Sequence, residues 1–138
     1  MDREKDRMLT TIDPSTVPAP PGGWFSHAAR VEVGTGALLF VSGQVAVDDT
    51  GEIVDVGDMG SQAERVFAML ERILTDQGGS FDDVVSIRTF LTDMSLLPAY
   101  GAVRARYITG TPPTSTTVAV AGLYGADALV EVDTVAAI

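Results

Sequence analysis

The stretch that decides the fold runs from Pro112 to Val132 and reads PPTSTTVAVAGLYGADALVEV. Two apolar segments flank a glycine-containing loop, and this pattern predicts two strands near the end of the chain. A single carboxylate, Glu131, lies between Val130 and Val132 in the second segment. Burying a charge is costly unless it is paired. Glu131 is therefore either a solvated or salt-bridged strand residue, or an acid placed in a functional cleft.

Composition excludes several classes of function. The 138-residue chain fits one domain with a substantial core. It has no cysteine, which rules out disulfides, a thiolate nucleophile and cysteine-based zinc sites. Nineteen acidic and nine basic residues give a net charge of −10. Because binding to phosphates needs a basic surface, the sequence predicts no nucleic-acid partner.

Targeting and metal-binding signals are also missing from the sequence. No apolar run approaches the roughly 20 residues of a membrane span, and the N-terminus lacks the apolar segment of a secretory signal. We therefore expect no membrane association and a cytoplasmic location. His27 is the only histidine, and we expect it to be structural rather than a metal ligand or general base. The sequence thus predicts no metal and no cofactor.

Apolar periodicity predicts a tail followed by one α+β domain. Residues 1–16 are expected to form a flexible N-terminal tail, and residues 17–138 the domain. Strands are predicted over 28–34, 37–47, 83–92, 115–121 and 128–137. Helices are predicted from Ser61, with Glu64 completing a capping box, to Gly78, and from Pro98 to Ile108. The order β-β-α-β-α-β-β predicts one mixed sheet with two helices on one face. Self-association can cover the other face.

Four more segments, taken with the C-terminal stretch, resemble a known family. They are FSHA at 25–28, LFVSGQ at 39–44, QAERVFAMLERIL at 62–74 and VVSIRTFLTDM at 84–94. In the C-terminal stretch, Pro113, Val118 and Glu131 match the pattern P-x-R-[ST]-x-V followed by a strand with a glutamate. This order and spacing resembles the Rid (YjgF) family of enamine and imine deaminases over about residues 17–138. The resemblance implies a chorismate-mutase-like fold and a homotrimer whose sheets face inward, with small-molecule clefts between subunits.

The resemblance also implies roles for individual residues. Glu131 would position the water that attacks an imine carbon. The family's arginine, which holds a substrate carboxylate, falls at Ser115, a neutral residue. The other positions that the resemblance places around the cleft are Ser42, Gly43, Thr117, Phe25 and Gly101. Trp24 is predicted to be either a core anchor or part of an apolar pocket wall.

Purely structural roles for these residues remain open. The hydroxyls of Ser115 and Thr117 also suit the start of a strand, and Tyr107 is expected to pack in the core. Another arginine could replace the missing one. The candidates are Arg30, Arg88, Arg104 and Arg106, and Arg104 is the best of them because the second helix borders the cleft in the family.

The sequence therefore predicts a trimer that hydrolyses or tautomerises an enamine or imine. Loss of the guanidinium at position 115 should remove roughly 1.5–3 kcal/mol of binding to a carboxylate. We accordingly expect a substrate other than the iminopropionate derived from 2-aminoacrylate, and one that is neutral or less anionic. The alternative is a non-catalytic ligand-binding or interaction trimer. RNA cleavage is a third hypothesis, and the net charge argues against it.

Overall fold

A six-stranded mixed sheet carries two helices on one of its faces. The computed structural model describes residues 8–138. The strands are β1 Leu9–Ile12, β2 Ala28–Val33, β3 Gly36–Gln44, β4 Val84–Leu91, β5 Thr114–Ala119 and β6 Val130–Ala137; the helices are α1 Met59–Asp76 and α2 Leu97–Tyr107. The strand order is β1-β2-β3-β6-β4-β5, and only β4 and β5 pair in parallel among these strands. The predicted α+β fold, with a single mixed sheet and two helices, is confirmed.

The sheet begins before the predicted domain boundary at residue 17. Strand β1 pairs antiparallel with β2, with Leu9 opposite Val31 and Ile12 opposite Ala28. Residues 1–7 of the predicted tail lie outside the described residues. The sequence Leu-Thr-Thr-Ile favours an extended strand, and the edge of β2 offers unpaired backbone groups. The charged and proline-rich residues on either side conceal this short strand in the sequence.

Helix α1 begins two residues earlier than predicted, and the predicted capping box is wrong. Asp58 is the N-cap, and its carboxylate accepts hydrogen bonds from the Ser61 backbone N–H at 3.0 Å and the Ser61 hydroxyl at 2.9 Å. Glu64 instead accepts hydrogen bonds from Tyr107 and Arg106 on α2. An aspartate is a strong N-cap, and starting there lets Met59 enter the core.

Strand alternation divides the side chains between two faces of the sheet. The face under the helices is apolar and buried, and includes Leu39, Val41, Ile87, Leu91, Val130 and Val132. The opposite face, which we call the open face, carries Phe40, Arg88, Phe90, Glu131, Asp133 and Val135. Phe40 remains 46% exposed there. In the described part of the chain, no helix covers the open face, and none is long and apolar enough to span a membrane.

Candidate active site

Glu131 packs against a bulge in strand β3. The pairing of β3 with β6 shifts register between Val41 and Gln44, so Ser42 and Gly43 leave the regular ladder. A Cβ atom at Gly43 would lie 2.7 Å from both the carboxyl carbon and Oε1 of Glu131. Any larger residue at position 43 would displace the carboxyl group. The bulge glycine and strand β6 together therefore fix the position of Glu131.

The surroundings of Glu131 favour its protonated form. The side chain is half-buried, and among residues 8–138 its carboxylate accepts no hydrogen bond and joins no ion pair. Burial, followed by the nearby carboxylate of Asp133, raises the pKa of Glu131. Asp133 is itself held by Arg88 through two hydrogen bonds of 2.9 and 2.7 Å. A carboxyl group with a raised pKa is better suited to exchange protons near neutral pH.

Beside Glu131 lies a cavity of about 210 Å³ with largely apolar walls. Residues that shape it include Phe25, Val45, Val47, Met69 and Tyr124. Among the described residues, Glu131 is the only charged side chain in the lining. A largely apolar wall with a few polar groups is typical of a small-molecule site. The sequence analysis missed Val45, Met69 and Tyr124, because only the fold brings them to Glu131.

His27 is a buried structural residue of the cavity wall. Its Nε2–H donates to the Pro18 carbonyl oxygen at 2.6 Å, and its Nδ1 accepts from the Gln44 side-chain amide at 3.2 Å. Its backbone N–H donates to Asp13 at 2.8 Å. Both ring nitrogens are therefore occupied, and His27 secures the Pro18 segment. Within residues 8–138, no group of three metal-ligating side chains comes together.

A second polar group, which we call the edge cluster, lies where α2 meets strand β5. It comprises Arg104, Ser115, Thr117 and Gly101. The Arg104 Nη1 donates to the Ser115 hydroxyl at 3.0 Å. Gly101 lies one helical turn before Arg104, and a Cβ atom there would meet nothing within 4 Å. Thr117 lies two residues beyond Ser115, on the same face of β5.

One chain does not bring Glu131 and the edge cluster together. Glu131 pairs with Phe90, and Phe90 pairs with Val118, three residues from Ser115. Two strand spacings and three residues of rise separate the Cα atoms of Glu131 and Ser115 by roughly 14 Å. Ser115 also shares the helix-covered face with its partner Ile87. Within one chain, Glu131 and the edge cluster therefore do not form a single small-molecule site.

The other predicted site residues differ in whether they line the cavity beside Glu131. Phe25, Ser42 and Gly43 line the cavity beside Glu131. Trp24 lies outside this wall and is 84% exposed, so it is not a core anchor. The Ser42 hydroxyl donates to the Ser26 carbonyl oxygen at 2.6 Å, which ties the bulge to the segment before β2.

Tyr107 and the other candidate arginines have structural partners. The Tyr107 hydroxyl donates to Glu64 at 2.6 Å, and its ring stacks on Phe67 with centroids 5.3 Å apart. Burial, then Glu64, raises the pKa of Tyr107 to about 12. The ion pairs are Arg30–Glu32, Arg88–Asp133 and Arg106–Glu64.

These features define a small α+β protein with a carboxyl-bearing apolar cleft at a glycine bulge. The profile of the family described as Endoribonuclease L-PSP matches residues 17–138. The chain belongs to this family, the Rid (YjgF) family.

Relatives in other organisms are similar over most of their length. Protein DfrA of Myxococcus xanthus is 36% identical over 110 residues, which is 80% of this chain and 83% of the relative. The 3-aminoacrylate deaminase RutC of Acinetobacter baylyi is 36% identical over 99 residues, 72% of this chain and 78% of RutC. The crystal structure of RidA from an Antarctic Psychrobacter species is 32% identical, with a TM-score of 0.80, and the match covers 94% of this chain and 99% of that structure's chain.

Proposed function

We propose that this protein hydrolyses an enamine or imine to a carbonyl compound and ammonia, with Glu131 as the acid and base. The observation that carries the proposal is the half-buried Glu131 carboxyl, fixed against Gly43 beside an apolar cavity. Its raised pKa suits a group that must both accept and return a proton. The 3-aminoacrylate deaminase RutC, a relative by sequence, supports the same reaction class.

The chemistry needs only water and one carboxyl group. An enamine first becomes an imine when its β-carbon takes up a proton and its nitrogen releases one. Glu131 then accepts a proton from water as the oxygen bonds to the imine carbon and the C=N π electrons move to nitrogen. Glu131 returns this proton to nitrogen, which gives a neutral carbinolamine. Transfer of the hydroxyl proton to nitrogen, again through the Glu131 carboxyl group, makes ammonia the leaving group, and the C–N bond breaks as the C=O bond forms.

We propose further that the complete cleft forms between subunits of a homotrimer. Glu131 and the edge cluster lie roughly 14 Å apart and on opposite faces of the sheet. A neighbouring chain can place its edge cluster against the Glu131 cavity. The open face, with Phe40 46% exposed, offers an apolar surface for such an assembly.

The substrate is proposed to be larger than 2-iminopropionate. The resemblance to the family places its arginine at Ser115, and we propose that the family's usual contact to a small imino acid is therefore missing. The cavity of about 210 Å³ has apolar walls and is larger than the methyl group of 2-iminopropionate requires. A bulkier apolar substituent on the imine carbon fits this space.

The test is ammonia release from imines generated in situ by an amino acid oxidase, measured above the spontaneous rate. Wild type should accelerate release, and Glu131→Gln should not. A protein that accelerates no imine, yet is stabilised against heat by small apolar carbonyl compounds, would be the alternative non-catalytic binding trimer. Salt-sensitive RNA cleavage by the purified protein would instead support a ribonuclease.

A further inference from the structure

Gln44 is a buried glutamine in the wall of the cavity beside Glu131. It is only 2% exposed and follows directly after the bulge at Ser42 and Gly43. Its side-chain amide carries two N–H donors and one acceptor, the carbonyl oxygen Oε1. Because buried polar groups are normally hydrogen-bonded, any group of Gln44 that lacks a partner in the protein is available to a ligand.

His27 determines which way the amide of Gln44 points. The Pro18 carbonyl oxygen can only accept a hydrogen bond, so the His27 Nε2, 2.6 Å away, carries the proton. In the neutral ring Nδ1 is then an acceptor, and the atom that faces it at 3.2 Å is the amide nitrogen of Gln44. The same nitrogen donates its second proton to the Ser42 carbonyl oxygen at 3.1 Å. Both donors of Gln44 are therefore used.

The Oε1 atom of Gln44 remains as an unused acceptor that faces the cavity. It accepts no hydrogen bond from residues 8–138. It is not enclosed by protein either, because the Thr134 hydroxyl is the one solvent-inaccessible side-chain polar atom without a partner among the described residues. The open space that Gln44 borders is the cavity beside Glu131.

A second buried glutamine, Gln62, shows what a purely structural amide looks like in this protein. Its amide nitrogen donates to the carbonyl oxygens of Asp55 at 3.3 Å and Asp127 at 3.0 Å. Its Oε1 accepts from the Leu129 backbone N–H at 2.9 Å. All three groups of Gln62 are occupied, whereas Gln44 keeps one for the cavity.

We infer that Oε1 of Gln44 accepts a hydrogen bond from the nitrogen of the substrate, and that His27 is the positioning residue that keeps Oε1 turned toward the cavity. This inference rests on the proposed function. The imine nitrogen carries one N–H, gains a proton after water adds, and gains another before it leaves as ammonia. Gln44 neither gives nor takes a proton. Its carbonyl dipole stabilises the N–H groups as the nitrogen becomes positively charged. Glu131 thus acts on the attacking water, and Gln44 holds the other end of the C=N bond.

The first test measures binding and needs no turnover. Benzamide and acetophenone have nearly the same shape, and the NH₂ of benzamide replaces the CH₃ of acetophenone, so only benzamide can donate to Oε1. Dissociation constants of both are measured by calorimetry for wild type and Gln44→Met. The ratio of the acetophenone constant to the benzamide constant should fall by about 3- to 10-fold in Gln44→Met, as for loss of one neutral hydrogen bond. An unchanged ratio would overturn the inference.

Gln62→Met is the matched control, because it removes a buried amide that does not line the cavity. It should lower the stability of the protein and leave the ratio within about twofold of wild type, since its own partners lie elsewhere. A fall in the ratio as large as that of Gln44→Met would show that any loss of a buried amide has this effect, which would contradict the role given to Gln44.

His27→Phe tests the positioning role, because it keeps a ring but removes the acceptor at Nδ1. The amide of Gln44 is then free to turn, and the ratio should fall in the same direction as in Gln44→Met. A wild-type ratio in a folded His27→Phe protein would refute the role of His27. If Gln44→Met does not fold, a crystal structure of wild type with benzamide decides. The ligand amide should lie within about 3.2 Å of Oε1, and an amide turned away from Gln44 would refute the inference.

The second test is kinetic and uses imines generated in situ. Gln44→Met should lower kcat by about 10- to 100-fold, as for loss of a hydrogen bond to a charged group. KM should change by less than about threefold, because the bond strengthens only as the nitrogen becomes charged. A rise in KM with kcat unchanged would contradict this account.

Failure of the proposed function can be separated from failure of this inference. If wild type accelerates no imine, the binding ratio in wild type and Gln44→Met still shows whether Oε1 accepts from a ligand nitrogen. If wild type hydrolyses imines and Gln44→Met is as active as wild type, the proposed function stands and the inference is wrong.

Discussion

The carboxyl group of Glu131 lies directly against the main chain of Gly43, so closely that a methyl group at position 43 would be 2.7 Å from the carboxyl carbon. Strands β3 and β6, which are distant in sequence, thus bring Gly43 and Glu131 into direct contact. The bulge in β3 leaves space for the carboxyl group that β6 carries. The position of the proposed catalytic carboxyl therefore depends on a residue with no side chain.

Gly43→Ala should reduce imine hydrolysis by about 10- to 100-fold, because a misplacement of about 1 Å is enough for such losses. The measurement is kcat/KM for ammonia release. Gly122→Ala is the control, since a Cβ atom there meets nothing within 4 Å. Full activity in Gly43→Ala would show that catalysis does not depend on the placement of the Glu131 carboxyl group against Gly43.

Glu131→Gln should be more stable than wild type at pH 7. Burial and Asp133 raise the pKa of Glu131, so the folded protein binds this proton more tightly than the unfolded chain. The stabilisation that this proton provides is complete below the ordinary pKa of 4.5 and is lost as pH rises through the folded pKa. Urea unfolding at several pH values checks this. The advantage of Glu131→Gln should shrink toward acid pH, and a variant less stable at pH 7 would contradict the assignment.

Asp133→Asn should shift the acid limb of the pH–rate profile to lower pH. Asp133 contributes to the raised pKa of Glu131, and its removal also frees the positive charge of Arg88. Both changes favour the ionised form of Glu131. The measurement is kcat/KM as a function of pH, over roughly pH 4 to 8, because the pKa of an ordinary or a raised carboxyl group would fall in this range. Asp49→Asn, in an exposed turn, should leave the profile unchanged, and a shift of the Asp133→Asn limb toward higher pH would contradict the electrostatic account.

His27→Ala should lower the free energy of unfolding by about 1–3 kcal/mol, because it leaves buried polar groups of Pro18 and Gln44 without their partner. Urea denaturation measures the loss. His27→Gln retains an amide donor and should lose less. If His27→Ala is as stable as wild type, the ring does not secure the cavity wall.

Phe40→Glu should break the proposed trimer, because it places a charge on the open face. Wild type should sediment at three times the chain mass of 14.5 kDa. Val56→Glu is the control, since Val56 is 63% exposed in a loop away from the sheet. A wild-type monomer with full activity would contradict the inter-subunit cleft.

Periodicity in the sequence was enough to predict the sheet, both helices and the helix-free face. It did not reveal β1, whose four residues are too few to show a pattern beside a charged and proline-rich segment. The capping box at Ser61 was wrong because Asp58 offers a stronger cap earlier in the chain. Local signals compete at helix ends, and packing of Met59 decides between them.

The site was only partly predictable for a different reason. Glu131 stands out in the sequence as an acid in an apolar strand, but the bulge at Ser42 and Gly43 was not predicted and is seen only in the strand pairing. The contact between Arg104 and Ser115 joins a helix to a strand 11 residues further along the chain, so no local pattern shows it. Asp133 could have been found, because alternation places it on the same face as Glu131.

The central claim is tested most directly by the rate of ammonia release, with wild type and Glu131→Gln at pH 7, from an imine that carries an apolar side chain and is generated in situ by an amino acid oxidase. We predict acceleration above the spontaneous rate by wild type, and a loss of at least about 100-fold in the folded variant, as for removal of a general acid or base. Equal rates for the two proteins would contradict the role assigned to Glu131.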